Sequence, residues 1–159
     1  MSGQILTLPP PAGESTGGGG ITQAEADARY VPLPSIRNVG LSLDGGASAI
    51  TTGFKGSIQV DFAGTIIGWS IEADVSGSIS VEVSKHAGTQ ALPVVPVPAT
   101  HKISASAPIA LASAQAKGVS AAGVSTWTTA VAQWDSIGFN VASVTTIAKA
   151  TLWLRIQES

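Results

Sequence analysis

Two histidines and six scattered carboxylates are the side chains of this sequence that could do chemistry. His86 and His101 stand fifteen positions apart without a cluster of acids, which matches no common metal-binding pattern. A pair of carboxylates for glycoside hydrolysis would have to come from Asp44, Asp61, Glu72, Asp74, Glu82 and Asp135. We predict surface or loop positions for both histidines and solvated positions for the acids. No catalytic residue, metal or cofactor is expected.

The glycine-rich segment Asp44-Gly45-Gly46 is interpreted as a turn. A phosphate-binding loop would need a Lys-Ser/Thr pair and a following helix, and neither is present. Glycine adopts positive φ at low cost, and the Asp44 carboxylate can accept a hydrogen bond from the backbone two residues on. No G-x-S-x-G nucleophile elbow occurs in the sequence either. These motifs favour a structural protein over an enzyme.

The four tryptophans differ in their expected surroundings. Trp69 falls on the inward face of a clear strand pattern and is predicted to be a core residue. Trp127 and Trp134 lie in or beside a loop region, where an indole can pack against another subunit, join the core or stack on a sugar ring. We favour subunit packing for both. Trp153 lies opposite the apolar face of the last strand, which fits a core position and a subunit contact equally well.

The composition indicates one domain with an arm, built to be part of an assembly. Of 159 residues 44% are hydrophobic and only 11% are charged, which is less than half the usual charged share. A net charge of −2 gives no basic surface for nucleic acid. There is no cysteine, so disulfides and thiolate metal sites are excluded. Neither a signal peptide nor a membrane-spanning stretch is recognisable, so synthesis in a cytoplasm without membrane insertion is expected.

Residues 1–20 cannot build a core. Pro9–Pro11 favours polyproline II, and Gly17–Gly20 is a flexible linker. Two readings stay open: a disordered tail, and an anchor peptide whose apolar side chains add to a groove or sheet edge of a neighbouring protein. The anchor residues would be Ile5, Leu6 and Leu8.

Residues 21–38 are predicted to form a short helical joint and a linker. Thr22 and Glu25 have the spacing of a capping box, and Pro32 and Pro34 prevent continuation of the helix. A helix of about two or three turns is unstable alone in water, so we expect copies of it to pack together in a homotrimer. The residues predicted to form this trimer joint are Thr22, Ala24, Glu25, Ala28 and Tyr30, with the alanines and the tyrosine near the axis.

Residues 39–159 show the alternation of short β-strands. Apolar side chains recur at every second position over 58–62, 67–73, 79–83, 137–141 and 150–156. Ser76-Gly77 is interpreted as a hairpin turn, and three prolines make His86–Thr100 a long loop. About eight strands without βαβ alternation predict an all-β fold, an antiparallel β-sandwich with a jelly roll as the expected version. The stretch 102–122 has no clear assignment.

Two segments resemble proteins of bacteriophage particles. Ala24–Val31 (AEADARYV) is similar to a Q-A-x-A-D-A-R-Y joint that recurs between modules of tailed-phage fibre proteins. Leu43–Gly56 (LDGGASAITTGFKG) resembles the opening of a small β-domain of phage fibre and virion proteins. The further features of that domain follow here in the same order, as Phe62–Ile66 (FAGTI), Trp69 and Ser76–Ile79 (SGSI).

The resemblance implies a structural protein of the virion. It would be a trimeric surface fibre or spike, held to the particle by its N-terminal arm, with other virion proteins as partners and a host-surface glycan as a further partner of the outward β-domain. The alternative is a head fibre or capsid decoration protein. A glycan depolymerase is a third and weaker alternative.

Overall fold

The computed structural model describes residues 34–88, 101–104, 107–120 and 122–159. The chain divides into two units, residues 1–33 and 34–159, and the described residues belong to the second. The predicted anchor residues Ile5, Leu6 and Leu8 and the predicted joint residues Thr22, Ala24, Glu25, Ala28 and Tyr30 lie outside the described residues, as does most of the predicted long loop. In the described part, no helix is long and apolar enough to cross a membrane.

The described unit is an antiparallel β-structure, which confirms the predicted all-β fold. Its strands are β1 (Ile36–Asp44), β2 (Gly53–Gln59), β3 (Gly64–His86), β4 (Ile109–Ser120), β5 (Ala130–Val131), β6 (Ser136–Thr145) and β7 (Lys149–Glu158). One 3-10 turn, Ala122–Val124, follows β4. β1 begins at Ile36, three residues before the predicted start of the domain, because residues 36–38 pair with the end of β7.

The strand β3 is the centre of the sheet and runs unbroken for 23 residues. The hairpin turn predicted at Ser76-Gly77 is therefore wrong. Residues 64–73 of β3 pair with β7, and residues 78–86 pair with β6, so the partner changes while the strand continues. Gly77 serves this change: a Cβ there would lie 2.7 Å from the Thr145 carbonyl oxygen and 2.6 Å from the Thr146 hydroxyl. The glycine permits close approach and does not make a turn.

The sheet curls into a sandwich-like body with two halves. The strand order is β1-β7-β3-β6-β2, and β4 pairs with the other edge of β3 along both halves. The outer strands β1 and β2 approach each other, since the Leu41 side chain lies 3.8 Å from the position of a Cβ on Gly56. Each half of the sheet buries one face against the other half, and the apolar core lies between these two faces.

The core follows the predicted alternation with one correction. Val81 and Val83 of β3, Phe139 of β6 and Leu152 of β7 are among the fully buried side chains, and Trp69 is also buried as predicted. The predicted inward residue Ile67 is only partly buried, whereas Ile66 is fully buried. The reason is a β-bulge between Ile66 and Gly68, which shifts the pairing with β7 by one residue and reverses the faces on one side of it.

The unassigned stretch 102–122 contains the strand β4. Ile109 and Leu111 are buried and pair with Val81 and Ile79 of β3. The register shifts twice farther along, between Glu72 and Ile79 of β3. A strand so irregular and so rich in Ala and Ser lacks the period-two signal by which strands are recognised.

Candidate functional site

The segment Ala132–Asp135 forms a turn that displays an aromatic ring, and we call it the Trp134 turn. Trp134 has a φ of 72° and is 54% exposed. Its backbone is fixed by neighbours, because its N–H donates to the Val60 carbonyl at 2.7 Å and its carbonyl accepts from Gln59 Nε2 at 3.3 Å. A left-handed conformation costs a non-glycine residue about 1–2 kcal/mol. The surrounding structure therefore holds this indole outward against its local preference.

Asp135 closes the Trp134 turn from beneath. The carboxylate is buried and accepts a hydrogen bond from the Ala132 N–H at 2.9 Å, while the Asp135 N–H donates to the Ala132 carbonyl at 3.1 Å. Lys85 Nζ lies 3.5 Å from the same carboxylate and donates to the Ala130 carbonyl. A buried, charge-assisted set of bonds of this kind makes the turn rigid.

Polar side chains and a glycine surround the Trp134 turn. Gln133 Nε2 donates to the Asp61 carbonyl at 2.9 Å, which joins the turn to the segment before β3. Gly88 packs against its backbone, since a Cβ there would lie 2.7 Å from the Trp134 carbonyl oxygen. An exposed indole flanked by amides can insert into a partner's pocket or stack on a sugar ring.

Trp153 lies on the outer side of the first half of the sheet, on what we call the Trp153 face. One cross-strand row there contains Gly40 of β1, Trp153 of β7, Ser70 of β3 and Val119 of β4. The indole is partly buried because it lies across Gly40, where a Cβ would be 2.6 Å from Trp153 Cδ1. Val119 is 63% exposed, so the row presents two apolar side chains outward.

A shallow cleft of about 260 Å³ lies beside Trp153. Its lining residues are Glu72, Ala73, Asp74, Lys149, Ala150, Thr151 and Trp153. Ion pairs border it, with Lys149 Nζ 3.7 Å from Asp44 and Lys117 Nζ 3.8 Å from Glu72. The face thus combines an aromatic ring, an exposed valine and two ion pairs. Aromatic residues are enriched at contact surfaces between proteins.

Trp127, by contrast, is a core residue, so the favoured prediction of a subunit contact is wrong for it. It is buried, and its indole N–H donates to the Ala107 carbonyl at 2.7 Å. Its position in a segment without regular structure gave no sign of this from the sequence. Of the three tryptophans considered as contacts, Trp134 and Trp153 reach the surface.

Most of the carboxylates considered for catalysis have a cationic partner. Lys102 Nζ lies 2.5 Å from Glu82, and the pairs of Asp44, Glu72 and Asp135 are given above. The Asp44 side chain also accepts from the Gly46 N–H at 2.7 Å, as predicted, and Gly46 has a φ of 71°. Within the described ranges, no group of three or more His, Asp or Glu side chains could hold a metal ion.

His86 is not a surface residue, so that prediction is wrong. It lies at the end of β3, is 1% exposed and packs against His101, with ring centroids 4.2 Å apart at an interplanar angle of 66°. Both nitrogens of His86 and Nδ1 of His101 are buried, and they have no hydrogen-bond partner among the residues that the structure describes. Burial lowers the pKa of His86, and the neighbouring His101 lowers it further. A sequence spacing of fifteen residues carries no signal for such a contact.

Compared with known proteins, the chain matches no family model, and no curated protein and no solved structure is significantly similar to it.

Proposed function

We propose that the chain is a non-catalytic structural protein of a tailed-bacteriophage particle. It forms a homotrimeric surface fibre or spike in which residues 1–20 bind other virion proteins and the β-domain faces outward. The sequence support is the ordered resemblance from Ala24–Val31 through Ser76–Ile79, together with the low charge. The structural observation that carries the outward role is the Trp134 turn, a strained and exposed aromatic residue held by a buried carboxylate. Strain of this kind is retained where a side chain has a function to perform.

The two aromatic surfaces have separate roles in this proposal. The Trp153 face is the subunit contact, because its ring is partly covered, its neighbour Val119 is apolar and exposed, and two of its bordering carboxylates are paired with lysines. The Trp134 turn is the outward contact, and a host-surface glycan is the proposed ligand, since the indole stands among uncharged amide groups. Burial of charges at a subunit contact is less unfavourable when they are already paired.

A head fibre or capsid decoration protein is the second candidate. It would need the same anchor, linker and β-domain, and it would differ only in the virion protein that the arm binds. Cryo-electron microscopy of particles locates the protein on the tail or on the head. A depolymerase is disfavoured by the pairing of Glu72, Glu82 and Asp135 with lysines. Release of sugar from purified capsular or lipopolysaccharide glycan would establish that activity instead.

Deletion of residues 2–20 tests the anchor. The truncated protein should remain a folded trimer with an unchanged melting temperature and should be missing from purified particles. Three arms on one trimer bind with avidity, so loss of all three leaves no residual attachment. Particles that carry the truncated protein at normal copy number would show that attachment runs through another part of the chain.

Two tryptophan variants test the division between the surfaces. Trp153→Ala should weaken the trimer in sedimentation while the domain stays folded. Trp134→Ala should leave the trimer intact and reduce binding of the protein to host cells. Equal effects of the two variants on both readouts would contradict the division.

A further inference from the structure

The end of β3 is bound to the short segment 101–104 by backbone and side-chain contacts. The Ile103 N–H donates to the Val83 carbonyl at 2.8 Å, and Ser104 Oγ accepts from the Val83 N–H at 3.0 Å. Ser84 and Lys102 form an isolated β-bridge. The ring contact of His86 with His101 adjoins this pairing.

The ring geometry does not suit a shared metal ion. Two imidazoles bound to one tetrahedral cation, each with its nitrogen about 2 Å from the metal, would have centroids roughly 5 Å apart. Here the centroids are 4.2 Å apart and the rings meet edge to face, so they pack on each other. This packing leaves three ring nitrogens without a hydrogen bond to any described residue, which is unfavourable.

The charged groups around the pair offer no compensation for a proton. Glu82 is bound to Lys102 and also accepts from Asn140 Nδ2 at 3.1 Å. Asp135, next to the β6 partner of His86, is bound to Lys85. A proton on His86 would therefore create a buried cation beside a second imidazole, and the two nearby carboxylates of the described residues, Glu82 and Asp135, are already bound to lysines.

We propose that His86 and His101 form an acid-sensitive clasp, in which uptake of a proton separates the rings and releases segment 101–104 from the end of β3. Linkage between proton binding and opening gives the direction of the pH effect. The closed form binds a proton less readily than a free imidazole of pKa 6.5, since burial lowers the pKa of His86. Opening therefore becomes easier as the pH falls below 6.5, by up to about tenfold for each pH unit until the closed form is itself protonated.

The opening would reach the Trp134 turn. Gly88, two residues beyond His86, packs on the Trp134 backbone, and His86 pairs with Ser136, the first residue of β6. Opening of the clasp therefore takes place beside one of the contacts that support the Trp134 turn. The clasp stands on the packing of the domain and does not depend on the proposed virion role.

Hydrogen exchange of the full-length protein at pH 7.5 and pH 5.5, corrected for the intrinsic rate, tests the clasp. Peptides covering 83–88 and 101–104 should lose protection by several-fold at the lower pH, while β7 should be unchanged. His86→Phe keeps an aromatic ring that takes up no proton, and the pH dependence should disappear in this variant. Equal loss in β7, no loss at all, or the same loss in His86→Phe would overturn the proposal.

If His86→Phe does not fold, a pH titration of the two histidines in the native protein tests the proposal instead. The imidazole proton resonances of His86 and His101 are followed by NMR from pH 8 to pH 4.5. The His86 midpoint should lie below 6.5, and its titration should coincide with changes in the Ile103 and Ser104 amide signals. A midpoint at or above 6.5 would show that the pair stabilises a shared proton, which is the opposite of the clasp.

Discussion

Gly40 and Trp153 face each other across the ladder of β1 and β7, and the indole occupies the space that a side chain at position 40 would need. A Cβ on Gly40 would lie 2.6 Å from Trp153 Cδ1 and 2.3 Å from the Leu152 carbonyl oxygen. Gly40→Ala should therefore destabilise the domain by about 1–3 kcal/mol through overpacking. Urea denaturation measures this. Ser42→Ala, two residues along the same strand, is the control and should stay within about 0.5 kcal/mol.

The neighbours Ile66 and Ile67 should differ sharply in their contribution to stability. Ile66 is fully buried and Ile67 is partly exposed because of the bulge between Ile66 and Gly68. Ile66→Ala should cost about 2–5 kcal/mol by removing buried methyl groups and leaving a cavity. Ile67→Ala should cost clearly less. Thermal unfolding of both variants measures the two losses of stability. A larger loss for Ile67→Ala would show that the bulge lies elsewhere.

Replacement of the buried Trp127 and of the exposed Trp134 should have opposite effects on the stability of the domain. Trp127→Ala removes a buried ring and its hydrogen bond to the Ala107 carbonyl, so a loss of about 3–5 kcal/mol is expected. Trp134→Gly relieves the positive φ of an exposed residue and should raise stability by up to about 1 kcal/mol. Melting temperatures of the two variants measure the contrast. A large loss in Trp134→Gly would mean that its indole is part of the packing.

Arg37 and Glu158 form an exposed ion pair between β1 and β7 that can be followed by titration. Arg37 Nε donates to Glu158 Oε2 at 3.0 Å, and this bond lowers the pKa of Glu158 below 4.5 and raises that of Arg37. A lowered carboxyl pKa stabilises the folded state above pH 4.5, and this contribution is lost as the pH falls through the folded pKa.

Arg37→Gln should move the Glu158 midpoint back toward 4.5 in a carbon-detected NMR titration. Ser35 lowers the same pKa to a smaller extent and remains in the variant. An unchanged midpoint would show that the arginine is not the main cause of the shift.

Strand character could be predicted where each strand buries one face. Large apolar side chains recur at every second position of β6 and β7, and those of Ile137, Phe139, Val141, Leu152 and Leu154 are all buried. The Asp44 turn was also predictable, because a carboxylate that bonds its own backbone is a local interaction. Periodicity and turn chemistry are properties of neighbouring residues, so a single sequence contains them.

The predictions that are wrong concern features set by contacts between residues distant in the sequence. Gly77 was interpreted as a turn, yet the strand continues there because β7 and β6 meet it in succession. The contact of His86 with His101 and the buried position of Trp127 beside Ala107 also depend on how strands pack. Trp134 and Trp153 could be chosen from the sequence as candidate contact residues, because they are tryptophans outside the predicted apolar faces. Their exposure and the positive φ of Trp134 could not.

The pairing of β1 with β7 sets an order of events during synthesis. β7 lies between β1 and β3 in the sheet, and Arg37 and Glu158 are 121 residues apart in the chain. As the protein leaves the ribosome, β1 has no partner until β7 emerges, and the adjoining edge of β3 stays open for the same time. Closure of such a long loop is slow. Nascent chains held on the ribosome before residue 149 would therefore expose two unpaired strand edges, and subunits that bind one another at that stage would do so before either has a finished sheet.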